Sequence, residues 1–230
     1  MISHEQLSIS WLGHATLRVE GGGTVVYVDP GRFGVLAGHD GDDGDVICVT
    51  HDHHYDPDGI RTVAAPDATL VLFEGINTHR IDREVDRPAD LSFERRMVGA
   101  ESDIAVGRAI IRTTAAYNEA DGPHLAKNGE PHHPKGRGCG FHVTLDDTSV
   151  YCPGDTDVLA GHERLDVDVF CPPIGGTVTM DRREAASLAA ALDPELVVPV
   201  HYNTFGAIET DVEAFVADCA ERDLDVQLDS

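Results

Sequence analysis

Between Cys48 and Asp58 the chain reads Cys-Val-Thr-His-Asp-His-His-Tyr-Asp-Pro-Asp, which places three histidines and three carboxylates directly behind the apolar run 45–50. Imidazoles and carboxylates this crowded are costly in a core, because each needs a partner once water is removed. At the end of a strand the same groups form a ligand set for a divalent metal. His51 and His53 lie two apart on a turn leaving that strand. An extended backbone projects alternate side chains to the same side, so both rings can converge on one ion. Asp56, three residues on, is a candidate oxygen ligand or a group that orients an attacking water. His54 is either a partner that fixes a ligand ring's tautomer or a solvent-exposed residue.

Three further segments offer a ligand in similar settings. Asp155 follows the apolar stretch 150–153 in Gly-Asp-Thr, His201 ends the buried-type strand 196–200 in Pro-Val-His-Tyr-Asn, and His133 lies in His-His-Pro-Lys-Gly. Each alone is ordinary: a turn aspartate, a core histidine, a surface histidine. Four ligand-bearing strand ends or loops in one chain point to a metal site.

The elements that must position these groups read as follows. The first fifty residues alternate short apolar runs with turns and predict a β-meander at 7–12, 15–19 and 24–30, with a loop at 31–44 and a strand at 45–50. A short helix is expected at 57–65, strands at 69–73, 104–106, 109–114, 140–145, 150–152, 167–171 and 196–200, and a last strand at 226–228. Helical spacing of apolar residues marks 181–192 and 211–222. The stretch 76–100 gives no clear pattern. The loop 118–138 has the length of a functional segment. The alternation of β-rich runs and helices implies two sheets sandwiched between helices, an α+β architecture in a single domain spanning 1–230.

Composition narrows the function. The 230 residues hold 41 acids against 17 Lys and Arg, a formal net charge of -24, and Lys127 and Lys135 are the only lysines. Such a field repels the phosphates of nucleic acid and opposes the compact state unless salt screens it, the situation of an acidic, halophilic protein. No apolar run approaches the length of a membrane span. The N-terminal residues carry neither a basic region nor an apolar core, so no secretory signal is read there. The five cysteines form no C-x-x-C pair and lie mostly in apolar stretches, as reduced thiols of a cytoplasmic protein would.

The segments Trp-Leu-Gly-His-Ala (11–15), Val-Asp-Pro (28–30), Thr-His-Asp-His (50–53), Ala-Tyr-Asn (116–118), His-Pro-Lys-Gly (133–136), Pro-Gly-Asp-Thr-Asp (153–157), Pro-Ile-Gly-Gly-Thr-Val-Thr-Met-Asp (173–181) and Pro-Val-His-Tyr-Asn-Thr-Phe (199–205) together resemble the metallo-β-lactamase superfamily. Within it they resemble the branch of ascorbate-6-phosphate lactonase-like, metal-dependent hydrolases. The resemblance implies a four-layer αββα sandwich with metals at the sheet edges. It implies His51, His53 and His133 around a first ion, Asp155 as a bridge, and His201 on a second. The leading motif departs from the family's His-x-His-x-Asp-His: Tyr55 stands at the aspartate position and Asp56 at the last histidine. Two alternatives follow. Either Asp56 holds the second ion from a shifted register, with His54 helping, or the second site is weak or absent.

The implied chemistry is hydrolysis of an ester, lactone or phosphoester bond in a small anionic substrate. One or two Zn2+ ions, or Mn2+ or Fe2+ on the same ligands, would activate a water. Asp56 is the candidate for handling the proton, and Lys135 the candidate cation for an anionic group or developing oxyanion. Tyr117, Asn118, Tyr202 and Asn203 are expected to line the pocket, His14 to stand beside the site, and Asp29 to hydrogen-bond a ligand histidine. The rival readings are a small-substrate phosphodiesterase and a metal-binding or sensory protein that has lost catalysis. A homo-oligomeric assembly is compatible with all three.

Overall fold

The computed structural model describes residues 1–39 and 41–229. Strands β2 (Leu7–Gly13), β3 (Thr16–Gly21) and β4 (Thr24–Val28) form the expected meander, and β1 (Ile2–His4), which the sequence did not reveal, pairs antiparallel with β2. Strands β5 (Gly44–Val49), β6 (Ala64–Phe73) and β7 (Glu94–Val98) extend it in parallel, giving a seven-stranded sheet in chain order. The second sheet has six strands. Antiparallel β8 (Asp103–Val106), β9 (Ala109–Ala115), β10 (Cys139–Leu145) and β11 (Thr148–Cys152) are followed by parallel β12 (Val169–Phe170) and β13 (Leu196–Val197). Both sheets thus pass from antiparallel to parallel pairing part-way across.

Period-two alternation places both faces of the central strands in apolar surroundings. In β4 and β5, Val26, Val28, Val46 and Cys48 enter the core between the sheets, where they meet Phe141, Val143 and Val150 of the second sheet. The intervening Val25, Tyr27, Ile47 and Val49 face outward and pack with Ile60 and Val63 of helix α1 (Pro57–Val63). On the opposite side, α2 (Arg182–Leu192) and α3 (Val212–Ala220) bury Ala185, Leu188, Ala189, Phe215 and Cys219 against Tyr151, Phe170 and Val197. The order of layers is helix, sheet, sheet, helix: the α+β, four-layer αββα sandwich expected from the sequence.

Some boundaries differ from the sequence reading. The expected strands at 167–171 and 196–200 shorten to two residues each, and the last strand at 226–228 reduces to one bridge between Val226 and Val197. The patternless stretch 76–100 contains 3-10 turns at Thr78–Arg80 and Pro88–Asp90 before β7. That strand is legible only in three dimensions, because four of its five residues, Glu94 to Met97, are exposed. All five cysteines are free and buried, and Cys48, Cys139, Cys152 and Cys171 share the inter-sheet core.

Candidate metal centre

The chemistry-bearing residues gather where the parallel strands end, the edge at which α/β sheets place their ligands. Asp29 follows β4, His51 follows β5, Asp155 follows β11, and His201 closes the segment after β13. His14 sits in the turn between β2 and β3, and its carbonyl accepts the backbone N–H of His201 at 2.7 Å, tying the two sheets together. His133 arrives on the long loop between β9 and β10, whose end is clipped to the site by a bridge between Gly138 and His51. His14, Asp29 and His201 all have left-handed backbones, at φ 50, 48 and 55. Residues with a Cβ adopt this conformation uncommonly, Asp and His more readily than most.

One carboxylate oxygen is the hub. Asp155 Oδ2 lies 3.7 Å from His51 Nε2, 3.6 Å from His54 Nε2, 3.2 Å from His133 Nε2 and 3.4 Å from His201 Nε2. Around it, ligand atoms of His51, His53 and His133 lie within 4.8 Å of one another. So do those of His51, His54 and Asp155, and those of His14, His54 and His201.

Hydrogen bonds set the tautomers. Asp29 Oδ1 accepts the Thr50 N–H at 2.8 Å, and its Oδ2 accepts the Thr50 hydroxyl and His54 Nδ1–H, each at 2.7 Å. With its one proton given to Asp29, the Thr50 hydroxyl can only accept from His51 Nδ1–H, 2.9 Å away. The carbonyl of Val178 accepts from His133 Nδ1–H at 3.0 Å. In all three rings Nδ1 is the donor, so in the neutral imidazoles the bare lone pair is on Nε2, the atom turned toward Asp155. His51 Nε2, His14 Nδ1 and His201 Nδ1 are buried with no hydrogen-bond partner among the described residues. Buried polar atoms left without a partner cost about 1–3 kcal/mol each, and a divalent cation is what this ligand set fits.

Electrostatics follow from burial and from Asp155. Burial, with His54 next, lowers the His51 pKa well below its usual value; burial alone dominates at His133, lowered to about 4, and at His14, lowered to about 2. These rings are neutral and ready to ligate. At His54 burial is outweighed by Asp155 and Asp29, and its pKa is raised. Burial would raise Asp155, but His201, His54 and His133 hold it well below the usual carboxylate range.

The structure brings together His14, His51, His53, His54, His133, Asp155 and His201, with Asp29 behind His54. It does not bring Asp56 in. Residues 52–54 form a 3-10 turn, in which side chains three apart eclipse. His54 therefore lies beside His51, with ring centroids 4.4 Å apart and the planes tilted by 57°, and enters the cluster. Tyr55 rotates into the outer apolar layer, its hydroxyl donating to the Asp86 carbonyl. Asp56 begins α1, accepts the Arg32 N–H at 2.8 Å and faces Arg83 at 3.5 Å. The signal was present in the sequence as His-x-x-His, read there on an extended backbone rather than a 3-10 one.

The other expected neighbours are placed as follows. Asn118 is buried beside the loop and positions His133: its Oδ1 accepts the His133 N–H, and its amide donates to Asp157 and to the Val178 carbonyl. Lys135 is turned away, its ammonium 5.1 Å above the Tyr117 ring, and both residues line a separate groove. Tyr202 is buried in a stack with Trp11 at 4.4 Å, and Asn203 caps a turn by accepting the Thr210 N–H. A cleft of ≈ 200 Å³ opens onto the cluster, bordered by Arg32, Phe33, His132 and Phe205, none of which the sequence singled out.

The chain matches the family profile described as the Beta-lactamase superfamily domain over residues 8–201. It is 30% identical to the UPF0173 metal-dependent hydrolase of Methanopyrus kandleri, with 96% of this chain and 95% of that protein covered. It is 31% identical to a UPF0173 metal-dependent hydrolase of Nitratidesulfovibrio vulgaris, covering 97% and 91%. Among solved structures it resembles Igni18, a metallo hydrolase from Ignicoccus hospitalis, with a TM-score of 0.70, 22% identity and coverage of 96% and 94%. A metallo-β-lactamase fold protein from Bacillus subtilis superposes with a TM-score of 0.69 at 11% identity, covering 96% and 95%. A histidine cluster at the strand ends of an αββα sandwich, matched by this profile over most of its length, makes the chain a member of the metallo-β-lactamase superfamily.

Proposed function

We propose that this chain is a metal-dependent hydrolase with two ion positions, in which His51, His53 and His133 hold one ion, His54, His201 and His14 hold the other, and Asp155 lies between them. The observation that carries this reading is the set of tautomers. Asp29, Thr50 and the Val178 carbonyl each fix an imidazole so that its bare nitrogen faces one shared carboxylate. Bound divalent ions supply Lewis acidity and lower the pKa of a coordinated water. The protein's own part is to hold the rings through Asp29, Thr50 and Asn118, to keep His51, His133 and His14 neutral by burial, and to limit water through Phe33 and Phe205. Zinc suits this histidine-rich set, and manganese or iron is compatible with it.

The bond cleaved is proposed to be an ester, lactone or phosphoester of a small anionic molecule. The closer likeness to ascorbate-6-phosphate lactonase-like hydrolases rests on the sequence motifs and belongs to the same proposal. So do a single domain over 1–230 and a cytoplasmic setting. Elemental analysis of protein purified in high salt without chelator, paired with turnover of ester, lactone and phosphodiester probes, tests it. Two ions per chain with turnover of one probe class is the expected result, and His51→Ala should abolish turnover while leaving the fold intact. A wild-type chain without bound metal, or undiminished activity in His51→Ala, overturns the assignment.

A further inference from the structure

We propose that Arg32 anchors the negative group of the substrate at the cleft mouth, beside an apolar lip formed by Phe33 and Phe205. The inference rests on the hydrolase reading and adds a substrate class: a small organic oxyanion carrying an apolar group.

The backbone gives the first argument. Gly31, Arg32, Phe33 and Gly34 have φ of 109, 64, 52 and 73, four consecutive left-handed residues, two of which carry side chains that disfavour the conformation. A segment held this way needs external support. Asp56 supplies it by accepting the Arg32 N–H, and Gly31 is packed so closely that a Cβ there would lie 2.7 Å from Asp56 Oδ2. What the strained segment achieves is the presentation of one guanidinium and one ring to the metal cleft.

The second argument is charge. In a chain with 41 acids, Arg32 has no carboxylate within ion-pair distance among the described residues. The nearby Asp56 is engaged instead by the Arg32 backbone and by Arg83, which lines a neighbouring pocket together with Asp52 and Asp82. The Arg32 guanidinium carbon lies over the Phe33 ring, 5.0 Å from its centroid, and a guanidinium without a carboxylate partner keeps its donors for a planar oxyanion.

The third argument is exposed aromatic surface. Phe33 and Phe205 are 52% and 38% exposed, yet lie 4.9 Å apart, and Phe33 also packs on His14 at 4.6 Å. Two rings on the rim of an otherwise polar cleft suit an apolar substituent of a ligand.

The test is calorimetric binding of 4-phenylbutyrate and of its neutral amide to metal-loaded wild type, Arg32→Gln and Arg32→Lys. The acid should bind at least about ten-fold more weakly to Arg32→Gln, with partial recovery in Arg32→Lys, while the amide distinguishes none of them. Metal content should stay at the wild-type level throughout. Equal affinity of wild type and Arg32→Gln for the acid, no acid binding by wild type, or an equal loss for acid and amide overturns the inference. Charge-selective binding without turnover of any probe would fall on the hydrolase reading alone.

Discussion

At the scale of single residues, the exchange of Asp56 for His54 has measurable consequences. His54→Ala removes a ring from the cluster and should lower metal content toward one ion per chain, read by elemental analysis. Asp56→Ala should keep the wild-type metal content and instead weaken binding of anionic ligands, because it frees the Arg32 turn. Equal metal loss in the two variants would return Asp56 to the ligand set. Asn118→Ala leaves every ring in place but unfastens the His133 loop. Losses from such supporting contacts are typically about 10–100-fold in metal affinity or activity, and a competition titration with a chromophoric chelator would register them. His51, His53, His133, Asp155 and His201 were legible as a set, from four ligand-bearing strand ends and loops and from the motifs around them, although several are ordinary taken singly. Arg32 and Phe33 were illegible, since nothing in Gly-Arg-Phe-Gly announces a left-handed run.

Among the elements, the longest helix, α2, offers a pH-dependent test. Asp181 and Glu184 form a reciprocal capping box at the start of α2, and Glu184 also accepts from His124 at 2.8 Å. The hydrogen bond to Glu184 raises the His124 pKa above its usual 6.5, and the same bond lowers Glu184 below 4.5. The His124 contribution is fully present below pH 6.5 and is lost as pH rises through its raised value. The Glu184 contribution is present above pH 4.5 and is lost as pH falls. Glu184→Gln keeps a cap acceptor but loses the charge. It should therefore destabilise by about 1 kcal/mol between these limits and by little at pH 9. Denaturant melts at pH 5.5 and 9 give the comparison, and a pH-independent difference would refute it. The helices and long strands were readable because their apolar period is sustained. The two-residue strands β12 and β13 and the exposed β7 were blurred, because their pairing is fixed by neighbours rather than by pattern.

For the whole molecule, the net charge opposes the compact state and salt should screen it. A net charge of -24 on 230 residues repels itself, and screening shortens from about 10 Å at 0.1 M to about 3 Å at 1 M salt. Melting temperature should rise by several degrees between 0.1 and 2 M KCl, and a flat or falling response in thermal scans would contradict a halophilic design. No helix among the described residues is long and apolar enough to cross a membrane.

The buried cysteines give this last transition a direct reporter. All five are free and enclosed, and burial raises the pKa of the Cys48 and Cys139 thiols far above neutrality. A native chain should thus be silent to alkylating reagents, since the reactive thiolate is neither formed nor reachable. Lowering the salt until the sandwich parts would expose the four inter-sheet sulfurs together. Mass spectrometry of chains pulsed with iodoacetamide during dilution should then show unmodified and fully modified species with few in between. The ratio of the two would count open molecules one by one, without an added label or a known substrate.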